Sequence, residues 1–199
     1  MSGSTPSELA LHLAALRPVL EDAGVPHALI GGAAVMTYGL RARTRDLDFL
    51  ISGGPPALAQ VSASATRHGW RAETKSAWHL RVWDGRFFSD IIAGETALEQ
   101  DAVQSATVRL LGDQAVPTIN ATHLCALKIL AGRPRDLRDV GELKDAWDDL
   151  RISDVNRLLA PFGIAWEHQQ GEVVPTIVAL AAADEENSDA TSVDEDTLT

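Results

Sequence analysis

The stretch that most constrains this chain is residues 29–51, LIGGAAVMTYGLRARTRDLDFLI. An apolar run through Ala28, Leu29 and Ile30 meets Gly31 and Gly32. A short helical segment follows, and Asp46 and Asp48 then alternate with Leu47 and Phe49 in a second apolar run. Period-two alternation marks a strand, so both carboxylates point to one side of a sheet, about 7 Å apart by strand rise. Two carboxylates so placed repel each other unless a cation sits between them. The glycine pair supplies the other half of a phosphate site: no side chains, close backbone approach, and amides at the start of a helix.

Strand, Gly-Gly, helix, then Arg43-Thr44-x-Asp46-Leu47-Asp48-Phe49 resembles the nucleotidyltransferase superfamily of the polymerase-beta type. Residues 124–140, LCALKILAGRPRDLRDV, are similar to the Lys-x-x-Ala and Arg-x-x-Asp segment of AbiEii-type abortive-infection nucleotidyltransferase toxins. The two motifs together span roughly residues 25–145. The resemblance implies an α+β nucleotidyltransferase fold, with a mixed central β-sheet flanked by helices and a C-terminal helical region. It implies that Asp46, Asp48 and Asp90 bind Mg²⁺ or Mn²⁺ and carry catalysis. Gly31, Gly32, Arg43 and Lys128 would bind the nucleotide, Lys128 also serving catalysis. An aspartate of the second motif joins the site, Asp136 being favoured over Asp139. The implied reaction moves a nucleoside monophosphate from an NTP to a hydroxyl on a tRNA 3′ end or a protein, as in the toxin half of a toxin–antitoxin pair. A drug-modifying nucleotidyltransferase and a non-catalytic nucleotide-binding or interaction module are the alternatives. The basic residues Lys128, Arg133, Arg135 and Arg138 lean toward a polyanionic acceptor, since an aminoglycoside site should be acidic.

The residues leave structural readings open beside these roles. Lys128 sits in an apolar helix, where a lysine ordinarily snorkels to water. Asp136 can cap or pair with Arg133 or Arg135. Asp90 lies in the apolar run 87–92, where an unpaired carboxylate is costly. An ion pair with His79 or Arg81 would satisfy it. Placing Asp84 and Gly85 as the two turn residues pairs His79 with Asp90 and Leu80 with Ser89. That puts Trp78, Leu80, Val82, Phe87 and Ile91 on one face and His79, Arg81, Phe88 and Asp90 on the other.

Of the 28 acidic residues seven lie after residue 183, where no basic residue occurs, so residues 1–183 carry a net charge of only −4 out of −11. A body so weakly charged argues against an extended grip on a nucleic-acid backbone, without excluding a local contact to one RNA end. The single cysteine, Cys125, excludes a disulfide framework and a cysteine-based zinc cluster. No leader-like N-terminus and no 18-residue apolar run is present, so a cytoplasmic protein with no membrane partner is expected.

Along the chain the patterns predict a helix over 7–23, capped by Ser7 and broken at Pro18, a strand over 25–30 and a helix over 33–38. They then predict a helix over 56–68, strands over 70–75, 77–83 and 86–93, a helix over 95–106, and a strand over 107–111. Helices over 122–131, capped by Thr122, and over 135–147 and 152–159 complete the body. His12 reads as a surface or packing residue. Residues 173–183 are apolar enough to pack on the body, and the acidic tail from Asp184 reads as disordered. The organisation expected is a core over 1–119, a helical region over 120–183 and a tail over 184–199.

Overall fold

The structure, a computed structural model, describes residues 5–169 and 172–177. Its frame is a seven-stranded mixed sheet in the order β3-β4-β5-β2-β1-β7-β6. The strands are β1 (His27–Ile30), β2 (Leu47–Ile51), β3 (Arg71–Ser76), β4 (His79–Trp83), β5 (Phe88–Ala93), β6 (Thr107–Leu111) and β7 (Gln114–Thr118). β2 runs antiparallel to β1 and parallel to β5, and β1 is parallel to β7. The helices are α1 (Pro6–Ala23), α2 (Gly31–Thr37), α3 (Gly54–Arg67), α4 (Ala97–Gln104), α5 (Ala121–Ala131), α6 (Pro134–Ala146) and α7 (Ile152–Leu159). A two-stranded sheet, β8 (Ile164–Gln169) with β9 (Glu172–Ile177), follows. Among the described residues no helix is long and apolar enough to cross a membrane.

The core lies where β1 and β2 bury both faces: Ala28, Leu29, Phe49, Leu50 and Ile51 are inaccessible or nearly so. Such continuous apolar runs fit strands covered on both sides. α1 and α3 pack on each other through Leu16, Val19 and Leu20 of the first and Val61 and Ala65 of the second.

Several local expectations are corrected. α1 is capped by Thr5, two residues before Ser7, because Thr5 and Glu8 form a reciprocal capping box. Pro18 does not break it: the proline and Ala14, whose carbonyl loses its partner, both lie on the exposed face, where water satisfies the carbonyl. α5 is capped by Asn120, whose side chain accepts from the His123 amide, rather than by Thr122. The β4–β5 hairpin is shifted from the two-residue turn. Asp84 Oδ1 accepts from the amides of Arg86 and Phe87 at 2.8 and 2.7 Å, which widens the loop to four residues. Trp83 then pairs with Phe88 and Arg81 with Asp90. The shift spans two positions, so the same residues share each face. Arg86 and Phe87 leave the ladder for the loop, and Trp78 lies just before β4. Only 172–177 of the apolar C-terminal stretch is described, as β9, and the acidic tail lies outside the described residues.

His12 is fully buried. Its ring stacks on Phe87 at 4.7 Å and lies 6.2 Å from Trp70, and its Nε2 is 2.8 Å from Ser89 Oγ. Burial pushes the imidazole down to about 4. The unfolded chain therefore takes up a proton between pH 6.5 and 4 that the folded chain refuses, and this term lowers stability as the pH falls through that window. His12→Gln keeps a polar side chain without the titration. In chemical denaturation the stability of wild type relative to this variant should rise from pH 4 to pH 6.5; a constant difference would contradict the burial account.

Candidate active site

β2 and β5 lie side by side in register, so Asp48 and Asp90 are direct neighbours across the parallel pair. Asp46 sits in the bend just before β2, not in the strand itself. Carboxylate oxygens of Asp46, Asp48 and Asp90 all lie within 4.8 Å of one another. At that separation each pair of full charges repels by a few kcal/mol, at the effective dielectric of about 20 that suits such sites.

Each carboxylate meets this repulsion differently. Asp46 accepts from Thr44 Oγ1 at 2.6 Å. Asp90 is gripped by Arg81, whose Nε and Nη2 donate at 2.8 Å to its two oxygens, and lies 2.9 Å from His79 Nε2. Burial would raise the Asp90 carboxyl, but these hydrogen bonds outweigh it and hold it below the usual range. Asp48 has no such grip. Burial, together with the charges of Asp46 and Asp90, pushes it up to about 7, with Arg133 and Lys128 pulling the other way. The ion-pair reading of Asp90 and its membership of the acidic cluster thus hold together.

The glycine pair has a steric reason beyond its amides. A Cβ on Gly31, at φ +68°, would meet Asp48 Oδ2 at 2.2 Å, and one on Gly32 would meet Thr44 Cβ at 2.9 Å. The two glycines let the start of α2 close on the carboxylates and on the loop that carries them. Arg41, Arg43 and Arg45 lie exposed in that loop.

On the other side stand α5 and α6. Gly132 ends α5 in the left-handed conformation and Pro134 opens α6, which brings Lys128 onto the first turns of the next helix. Lys128 is 5% exposed, and its Nζ lies 3.3 Å from Asp136 and 2.6 Å from Asp139. Arg133 Nε donates to the other Asp136 oxygen. Asp136, 2% exposed, spends both oxygens on these cations, which hold its carboxyl low against the effect of burial. Lys128 therefore does not snorkel. It is anchored between two carboxylates and contributes positive potential at Asp48. Thr44 stands in the sequence motif with no role assigned to it there, although a hydroxyl two residues before an aspartate is the signal for such a local bond.

No family model matches the sequence, and no curated protein matches it. Solved structures do resemble the fold. The antibiotic-resistance factor ANT(2″)-Ia aligns with a TM-score of 0.54 over 76% of this chain and 91% of that one, at 16% identity. A nucleotidyltransferase-like antigen from Paracoccidioides brasiliensis gives 0.52 over 78% and 87%, also at 16% identity. The lincomycin-bound lincosamide adenylyltransferase LnuA gives 0.50 over 73% and 100%, at 18% identity. The chain has the nucleotidyltransferase fold: a mixed sheet flanked by helices, with the acidic cluster at the β2–β5 junction.

Two consequences can be measured without a ligand. Gly31→Ala combines a clash with Asp48 and a strained backbone and should cost about 2–4 kcal/mol. Gly39→Ala, at φ +81° in open space, should cost only the 1–2 kcal/mol of its backbone. Equal losses in urea unfolding would contradict the steric role. Because Asp48 ionises near 7 folded but near 4 unfolded, its term destabilises the metal-free chain as pH rises from about 4 to about 7. Asp48→Asn should remove that term and melt higher than wild type at pH 8 in the presence of EDTA.

Proposed function

We propose that this chain is a metal-dependent nucleotidyltransferase that moves a nucleoside monophosphate from an NTP to an acceptor hydroxyl and releases pyrophosphate. The convergence of the Asp46, Asp48 and Asp90 oxygens within 4.8 Å carries the reading. A cluster of hard oxygen donors, one of which is only partly ionised at neutral pH unaided, fits Mg²⁺ or Mn²⁺. Asp46, Asp48 and Asp90 would hold such an ion, which would supply positive charge against the phosphates and lower the pKa of a hydroxyl.

The side chains divide the remaining work. Asp46 and Asp48 supply ligand oxygens. Asp90, its basicity reduced by Arg81 and His79, serves as a fixed negative ligand and not as a proton acceptor, because a base needs a pKa near the working pH. Gly31 and Gly32 leave the α2 amides accessible to phosphate oxygens, and the exposed Arg43 adds charge from the loop. Lys128 and Arg133, held by Asp136, present positive potential toward the same place, so Asp136 acts as a positioning residue. In the transfer, the acceptor oxygen bonds to the α-phosphorus, the bond to the β-phosphate oxygen breaks, pyrophosphate leaves, and the hydroxyl proton passes to water.

The similarity of residues 124–140 to AbiEii-type toxins supports a tRNA 3′ end or a protein side chain as acceptor, and an antitoxin as a partner.

The test incubates the chain with each α-labelled NTP, Mg²⁺ or Mn²⁺, total tRNA, lysate protein, an aminoglycoside and a lincosamide. Label should reach one acceptor class. Asp48→Ala should reduce it by about a hundred- to a thousandfold, as loss of a charge-stabilising catalytic group does. Asp90→Asn should abolish turnover while Mg²⁺-dependent NTP binding survives. Label transfer at the wild-type rate by Asp48→Ala would contradict the assignment.

A further inference from the structure

The acidic cluster opens onto a second feature. In the ladders Arg71 pairs with Trp83 and Glu73 with Arg81 between β3 and β4, while Trp83 pairs with Phe88 and Arg81 with Asp90 between β4 and β5. Arg71, Glu73, Arg81, Trp83, Phe88 and Asp90 therefore share one sheet face. The alternate residues Leu80, Val82 and Ile91 are buried on the side where α3 packs. On the first face lies an open cleft of about 470 Å³ lined by Arg71, Glu73, Arg81, Trp83 and Phe88. That volume falls within the roughly 300–1,000 Å³ typical of small-ligand sites.

The lining has a particular chemistry. Trp83 is 40% exposed, in a residue type that is highly buried on average. The Arg71 guanidinium lies 5.2 Å from its ring centre, and the Arg81 guanidinium 4.8 Å from that of Phe88. Aromatic rings each with a guanidinium over one face are what a single-stranded nucleic acid uses, its bases stacking on the free ring surface and its phosphates meeting the arginines. A polycationic sugar is poorly served here: the cleft's one carboxylate, Glu73, already holds Lys75 at 2.6 Å. Arg81 joins the cleft to the acidic cluster, since the same guanidinium that covers Phe88 grips both oxygens of Asp90.

We propose that this cleft holds the terminal base of a single-stranded RNA acceptor. The base stacks on Trp83, Arg71 meets the adjoining phosphate, and the terminal ribose hydroxyl lies toward Asp90. This rests on the nucleotidyltransferase reading and narrows its acceptor to RNA. It also suits a body of low net charge, which grips one end of a strand and not its length.

The test measures binding of a 5′-labelled single-stranded RNA of about ten nucleotides by fluorescence anisotropy, apart from catalysis. Trp83→Ala should weaken binding about tenfold or more, and Trp83→Phe should restore most of it, as loss and return of one stacked base require. Arg71→Ala should weaken binding and lower the salt slope by about one. Mg²⁺-dependent thermal stabilisation by NTP should be unchanged in all three variants. RNA that fails to bind wild type, or binds Trp83→Ala equally well, overturns the proposal, as does label found on protein or drug that falls with Trp83→Ala. RNA that binds through Trp83 while no label is ever transferred leaves the base site standing and overturns the catalytic reading alone.

Discussion

Three carboxylates held within 4.8 Å of one another are the constraint on which the rest of this structure turns. Nothing about a stable core calls for such an arrangement, and the chain commits several elements to tolerating it. Arg81 and His79 hold Asp90 from the neighbouring strand, Thr44 holds Asp46 from the loop, and Lys128 and Arg133 face Asp48 from the helical side. Asp48 is nevertheless left with its carboxyl near 7. A partly compensated charge on the middle strand of a packed sheet is characteristic of a functional site, where environment and neighbours are arranged to shift a titration.

The fold delivers these groups economically. Parallel pairing of β2 with β5 sets Asp48 beside Asp90, and the antiparallel return from β1 sets Ile30, the residue before Gly31, opposite Asp48. The α5–α6 turn then supplies cations that are themselves neutralised by Asp136 and Asp139, so the cluster meets positive potential without an uncompensated buried lysine. The open face of β3, β4 and β5 continues from Asp90 to Trp83, which makes the site a strip along the sheet and not an isolated pit.

How far the sequence could be read follows from the range of the interactions involved. α7 and β6 were legible to the residue because residue patterning is local. The convergence of Asp46 with Asp48, and the parity of His79, Arg81 and Asp90, were legible for the same reason, although Asp46 falls just outside the strand. Pro18 was misread because its effect depends on which face of α1 meets solvent. The hairpin register was misread because the Asp84 side chain, not the Asp-Gly backbone preference, decides the loop. β8 carried no clear alternation and was not expected. The steric demand on Gly31, the anchoring of Lys128 by two carboxylates and the aromatic cleft were beyond reach. Each depends on how neighbouring elements dock on one another, or on a strand register that only the folded sheet defines.

The central claim is that the cluster exists to hold a divalent cation, and direct binding tests it without assuming any acceptor. Titrating Mn²⁺ into the chain with a non-hydrolysable NTP, followed by electron paramagnetic resonance, should give saturable binding with one or two ions per chain. Asp48→Asn should abolish it. Absence of saturable binding by wild type, or retention of it by the variant, would contradict the account.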